Sequence, residues 1–225
     1  MHETATLLSG TPTLPPRSVA LTFDDGPGPK SAELARALRD EGVPATFFVL
    51  GESIERYGEA LAAHRDCGHA IALHSDVHEA FTSVSLAERQ LARCRERIAE
   101  HLGDDALGAT PWYRPPYGVG DEAVPGYAGP VGWHAHGYDW KITYREGQTV
   151  EGCVDTLTEN LLRHDGGVAL LHDFAPPSEF TASGKTEKDL DLRVLDITAL
   201  LLERLRREGF SFVDLPGADG LKALI

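Results

Sequence analysis

The sequence predicts an α/β fold, a distorted (β/α)7-type barrel forming a single domain. Apolar runs of strand length alternate with amphipathic helical patterns along most of the chain, the strand runs are mostly unbroken apolar stretches, and no central switch in the pattern marks an open sheet. The 225 residues fall within the range that one such barrel fills. A chain of this size buries about 70% of its unfolded surface and needs no disulfide to fold.

A Pro-rich leader, residues 1–17, is expected to be extended, with the domain running from 18 to 225. The first strand, "SVALTF" (18–23), leads to a helix, "SAELARALRDEG" (31–42), with apolar residues three and four apart. "ATFFVL" (45–50) and "ESIERYGEALAAHRDCG" (52–68) repeat the unit, as do "AIAL" (70–73) and "SLAERQLARCRERIAEHLG" (85–103). "WYR" (112–114) and "VGWHAH" (131–136) read as further strands. The chain then gives a helix at "TVEGCVDTLTENLLRHDGG" (149–167), a strand at "VALL" (168–171), a helix at "LRVLDITALLLERLRREG" (192–209) and a last strand at "FSFV" (210–213). Gly42, Gly68, Gly103 and Gly209 stand where helix stops are needed. Two connections break the rhythm. "YGVGDEAVPGYAGP" (117–130) holds too much Gly and Pro for a full helix, and "DFAPPSEFTASGKTEKD" (173–189) reads as a long polar loop.

Composition narrows the function. Lys plus Arg is 21 against 35 Asp plus Glu, a formal charge of −14, which disfavours nucleic acid and anionic membranes as partners and favours a neutral or cationic substrate. No stretch approaches the ~20 apolar residues of a membrane span. The leader has neither a basic start nor a long apolar run, so the chain as it stands is expected to be cytoplasmic, and secreted only where an export signal has been removed. Cys67, Cys94 and Cys153 lack metal-site spacing and read as free thiols.

The chemistry gathers at strand ends, the end of such a sheet where ligands bind. Asp24 and Asp25 close the first strand, His74 the third, Arg114 the "WYR" run and His172 the "VALL" strand, while Asp139 follows "VGWHAH". A helical turn through "HSDVH" would put His74 and His78 on one face. With one carboxylate from the Asp pair they make a three-ligand set with an open position, able to activate water. The second carboxylate is then free to act as general base. The same two-His, one-carboxylate set also describes an iron(II) oxygenase triad, although that chemistry leaves the other aspartate without a task. His134 and His136 share a strand face and are open to three readings: solvated side chains, substrate contacts or a second metal site.

Five ordered stretches, "TFDDGP" (22–27), "HSDVH" (74–78), "RPPYG" (114–118), "DW" (139–140) and "LLH" (170–172), are similar to the motifs of the polysaccharide deacetylase family, carbohydrate esterase family 4, with its NodB-homology fold. The resemblance spans about Ser18 to Leu215. It implies Asp24 as base, with Asp25, His74 and His78 holding one divalent metal, most simply Zn²⁺, with Co²⁺ or Ni²⁺ as substitutes. It implies His172 as the acid that protonates the leaving amine, Arg114 as the residue orienting the base, and Asp139 as the partner of His172. Pro116 and Tyr117 fall in the third motif, where the Tyr117 peptide N–H would help polarise the acetyl carbonyl. Trp140 and Leu170 resemble the walls around the acetyl methyl. Phe180, with Phe174, is expected to stack on a sugar from the 173–189 loop. Two departures stand out: the family's fourth motif usually has an aspartate three positions before Asp139, where this chain has His136, and the segment 117–130 is short where relatives often carry a full helix.

The activity so implied is metal-dependent N-deacetylation of an acetamido sugar or polysaccharide, with a chitooligosaccharide, peptidoglycan-type chain or small N-acetylated sugar as substrate. Its alternatives are O-deacetylation of acetylated xylan, deacetylation of a natural-product intermediate, and sugar binding without catalysis. The presence of both Asp24 and His172 speaks against the last.

Overall fold

The computed structural model describes residues 5–215. Residues 1–4 of the expected leader and 216–225 of the expected domain lie outside the described residues. In chain order the elements are β1 (Ser18–Asp24), α1 (Ser31–Asp40), β2 (Ala45–Leu50), α2 (Gly51–Tyr57), α3 (Ala60–Asp66), β3 (Ala70–Ser75) and α4 (Val84–Leu102). There follow β4 (Ala135–His136), α5 (Asp139–Thr143), α6 (Val150–Arg163), β5 (Gly166–His172), α7 (Pro177–Ala182), α8 (Val194–Arg207) and β6 (Ser211–Phe212).

β1 is buried along its whole length because both faces are covered. Val19, Leu21 and Phe23 point outward into the main core under the helices, where they meet Leu34 and Leu38 of α1, Leu91 of α4, Leu157 of α6 and Leu201 of α8. The alternate residue Ala20 points inward and joins Phe48, Ala72, Val131, Trp133, Val168 and Leu170 in a smaller core inside the barrel. That alternation leads to Asp24, at the inner mouth.

The sheet is parallel, in the order β3-β2-β1-β5-β4, with β6 paired to the start of β1 at Ser18 and Val19. Its two edges are joined by irregular chain. Arg114 N–H donates to the Leu73 carbonyl at 3.0 Å, Tyr113 N–H donates to Ala128, and Val131 N–H donates to Tyr113. From there the chain runs into β4, and His134 N–H donates to Val168 of β5 at 2.8 Å. A distorted barrel results.

Three expected strands come out shorter than the sequence pattern suggests. "WYR" forms isolated bridges, because Pro111, Pro115 and Pro116 around it cannot donate to a ladder. "VGWHAH" is a regular strand only at Ala135–His136, and "FSFV" only at Ser211–Phe212. Ahead of β4, Trp133 pairs antiparallel with Thr6 of the leader, at 2.8 and 2.9 Å. Gly132 permits that approach, since a Cβ there would overlap the Thr6 carbonyl oxygen. The helix expected over 52–68 is two helices, interrupted at Gly58 and Glu59, with glycine the poorest helix former of that run. The polar stretch 173–189 is not a plain loop: it contains α7 and a 3₁₀ turn at Glu187–Asp189. None of the helices among the described residues is long and apolar enough to cross a membrane.

Candidate active site

Strict alternation along β1 would turn Asp25 away from Asp24, toward the helices. Instead Asp25 takes a positive φ of 72°, a left-handed bend that brings its carboxylate back to the mouth. The Ser53 hydroxyl holds this bend by donating to the Asp25 carbonyl at 2.7 Å. The turn also needs Gly26, because a Cβ there would overlap the Asp173 carboxylate. Both aspartates are buried, with Asp24 2% and Asp25 4% exposed.

Asp25, His74 and His78 offer one ligand atom each, all within 4.8 Å of one another, and no other group of three or more such side chains is found among the described residues. Asp25 Oδ1 lies 3.4 Å from His74 Nε2 and 3.5 Å from His78 Nε2. The two imidazoles reach this point through a bend at residues 76–78, not the helical turn that their spacing suggested. The His74 Nδ1–H donates to the Arg114 carbonyl at 2.8 Å, and since a carbonyl only accepts, the Nε2 lone pair is left facing Asp25. His78 Nδ1 meets Glu179 Oε1 at 2.5 Å, which fixes the same tautomer. Asp25 Oδ1 is buried without a hydrogen-bond donor. An orphaned carboxylate oxygen among two converging imidazole lone pairs fits a divalent cation.

The electrostatics of the cluster agree. Burial pushes the Asp25 carboxyl up, but His78, His74 and His172 outweigh it and bring it down to about 2. Burial works against charge on His78, yet Asp25 and Glu179 more than compensate and raise its pKa. The carboxylates therefore favour positive charge at this point, whether carried by a proton or by a metal.

Around the cluster stand two proton-transfer candidates, each held by a partner. Asp24 Oδ1 accepts from Arg114 Nη1 at 2.6 Å, and the same nitrogen reaches Thr22 Oγ1 at 2.9 Å. The fully buried guanidinium also donates to the Val131 and Gly132 carbonyls and lies 4.2 Å over the Phe48 ring. Asp24 Oδ2, the oxygen not bonded to Arg114, lies 3.8 Å from His74 Nε2. His172 Nδ1–H donates to Asp139 Oδ1 at 2.9 Å, and the His172 peptide N–H donates to Asp139 Oδ2 at 2.7 Å. Burial pushes the imidazolium down, but Asp139, with Asp25 and Asp24 beyond it, outweighs burial and raises the pKa to about 10.

A cavity of about 560 Å³ covers these groups, lined by Asp24, Asp25, His74, His78 and His172 together with Tyr117, Trp133, Trp140, Tyr144 and Leu170. Trp140 and Leu170 thus stand in its wall, as does Tyr117, which carries a positive φ of 59° in the turn Pro116–Gly118. Pro116 is buried behind the lining, and its neighbour Pro115 faces the cavity instead. The expectation for Phe180 is corrected. It is 2% exposed and packs with Phe174, Ala175 and Leu190 in a satellite core, with no face turned to the cavity. His136 lines the cavity, and burial lowers its pKa to about 4. His134 instead accepts from the Val168 N–H at 3.0 Å, and the two histidines belong to no metal cluster among the described residues. The sequence reading missed Glu179, hidden in a stretch that looked like a solvated loop. Its signal was the "PPSE" sequence, which starts α7 and fixes where the carboxylate falls.

The barrel and this site define a class. A polysaccharide deacetylase model matches residues 11–136, more than half of the chain, and the protein belongs to that family, metal-dependent hydrolases that remove N-linked acetyl groups from acetamido sugars. A chitooligosaccharide deacetylase of Bradyrhizobium sp. (strain ANU 289) is 30% identical over 214 residues, covering 89% of this chain and 90% of that one. A peptidoglycan-N-acetylglucosamine deacetylase of Bacillus cereus is 29% identical over 175 residues, covering 72% and 62%. Among solved structures, the Bc1960 peptidoglycan N-acetylglucosamine deacetylase superposes with a TM-score of 0.64 at 26% identity, covering 89% of this chain and 87% of that one.

Proposed function

We propose that this N-deacetylase takes its acetamido sugar from a chitooligosaccharide or peptidoglycan-type glycan, and that Asp25, His74 and His78 hold Zn²⁺. The observation that carries the reading is the meeting, in one aromatic-lined cavity, of a metal-ligand triangle, an aspartate tied to a buried arginine and a histidine tied to a buried aspartate. Two neutral imidazoles and a carboxylate suit Zn²⁺, and Co²⁺ or Ni²⁺ could occupy the same donors. When bound, such a cation lowers the pKa of water and polarises a carbonyl.

The chain's own groups supply the rest. Asp24 takes the proton of the attacking water, and its Oδ1 bond to Arg114 fixes the carboxylate in orientation. An amide nitrogen leaves only when protonated. His172, with Nδ1 committed to Asp139, presents Nε2–H to that nitrogen. The Tyr117 peptide N–H is the donor that the family pattern assigns to the acetyl oxygen. Trp140 and Leu170 give the acetyl methyl an apolar wall, and Trp133 and Tyr144 add aromatic surface to the cavity lining.

The test is acetate release by the zinc-loaded protein from chitooligosaccharides, peptidoglycan fragments, free N-acetylglucosamine and acetylated xylan. Release from the N-acetylated glycans, and little from xylan, is the expected result. Release confined to acetylated xylan would overturn the substrate assignment.

A further inference from the structure

Glu179 lies on α7, in a segment that none of the five sequence motifs covers, yet its carboxylate reaches two parts of the site at once. Oε1 accepts the Nδ1–H of His78 at 2.5 Å and also the Tyr117 hydroxyl. The Tyr117 ring stands 4.3 Å from the His78 ring, so the three side chains are in mutual contact. The segment carrying Glu179 is itself anchored. At the start of α7 the Ser178 N–H and hydroxyl both donate to Glu52, each at 2.8 Å, and the same Glu52 accepts from the His78 peptide N–H at 3.3 Å. Beneath it, Phe180 and Phe174 pack in the satellite core, and Tyr57 donates to Glu187 at the far end.

We infer that Glu179 is a positioning residue for metal binding: it holds His78 in the tautomer and rotation that aim Nε2 at the cation, and it ties that ligand to Tyr117. The inference rests on the reading of His78 as a ligand. A carboxylate on the far nitrogen of a ligating histidine orients the ring and makes it a better donor, and losing it typically weakens metal affinity about 10–100-fold. His74 has a neutral backbone carbonyl, that of Arg114, in the corresponding place. Of the two imidazoles, His78 is therefore the one whose donor strength depends on a removable side chain. α7 thereby places one carboxylate between His78 and the Tyr117 side chain.

The experiment measures the zinc dissociation constant by competition with a chromogenic chelator, beside the melting temperature of the metal-free protein. Glu179→Ala should bind zinc about 10–100-fold more weakly, with Glu179→Gln in between, because the amide oxygen still accepts the Nδ1–H but lacks the charge. Ser178→Ala, which removes the hydroxyl bond from the start of α7 to Glu52, leaves the peptide N–H bond and keeps the Glu179 carboxylate, should stay near the parent. Parent-like affinity in Glu179→Ala overturns the inference, and so does an equal loss in Ser178→Ala, which would make the seating of α7 the cause. If Glu179→Ala does not fold, the isosteric Glu179→Gln decides: weaker binding supports the inference and parent-like binding overturns it. His78→Ala separates the two levels. Undiminished zinc binding in that variant refutes the ligand reading itself, whereas lost binding there with parent-like Glu179→Ala refutes only the role of Glu179.

Discussion

Asp24 and Asp25 are adjacent and chemically identical, and a single backbone angle gives them different surroundings. The left-handed φ of Asp25 puts both carboxylates at the mouth, one among imidazoles and the other on Arg114. Asp24→Asn should therefore keep its metal and lose about 10²- to 10⁴-fold in kcat, while His78→Ala should lose metal and turnover together. Metal content measured beside rate separates the two. If Asp24→Asn lost its metal while Asp25→Asn kept it, the roles are reversed. His172 supports a second prediction. Its pKa is raised, so the protonated acid is present at lower pH and is lost as pH rises through that value. Replacing Asp139 by Asn removes the charge that most supports the proton, and the basic limb of the kcat profile should move to lower pH by about one unit or more. An unmoved limb would mean that another group delivers the proton. Asp24, Asp25 and His172 were legible in the sequence because each stands at the end of an apolar run, whereas His78 and Asp139 were read from the spacing of "HSDVH" and from the resemblance of "DW" to a family motif. The bend at Asp25 was not, since nothing in "DDGP" states a φ angle.

At the scale of elements the sequence read best where one run of residues forms one object. β1, β2, β3 and β5 coincide with unbroken apolar stretches, and helices α1, α4, α6 and α8 with their periodic patterns. It read worst where pairing is settled by distant chain. "WYR" has strand-like residues, but the prolines around it leave only bridges, and the partner of Trp133 is Thr6, far away in sequence. The 173–189 segment misled for a related reason: a polar composition hid a helix, and Phe180, expected to face a sugar, packs in a core. Phe180→Ala should accordingly lower stability by about 3–5 kcal/mol, read by urea unfolding, as truncation of a buried aromatic does. Unchanged stability with a raised KM would instead put the ring against substrate. α7 is thus held from below by packing and from the side by Glu52, which lets Glu179 act as a fixed group.

For the whole molecule, the barrel works as a frame that brings separate strand ends to one cavity. β1 brings the two aspartates, the chain at β3 and just beyond brings the histidine pair, and β5 brings His172. Arg114, from the irregular closure, passes through the interior to Asp24 and donates to Val131 and Gly132 across the barrel. The same side chain therefore ties the closing chain to Asp24. The strong negative charge of the chain also suits a metal-dependent site with an Asp–His–His cluster. A single metal, held by Asp25, His74 and His78, should be required for hydrolysis of the acetamide. The most direct measurement is a zinc titration of exhaustively chelated protein, following acetate release from an N-acetylated chitooligosaccharide. The expected result is no release before zinc is added and a rise that levels off at one equivalent. Full release from the metal-free protein would contradict it.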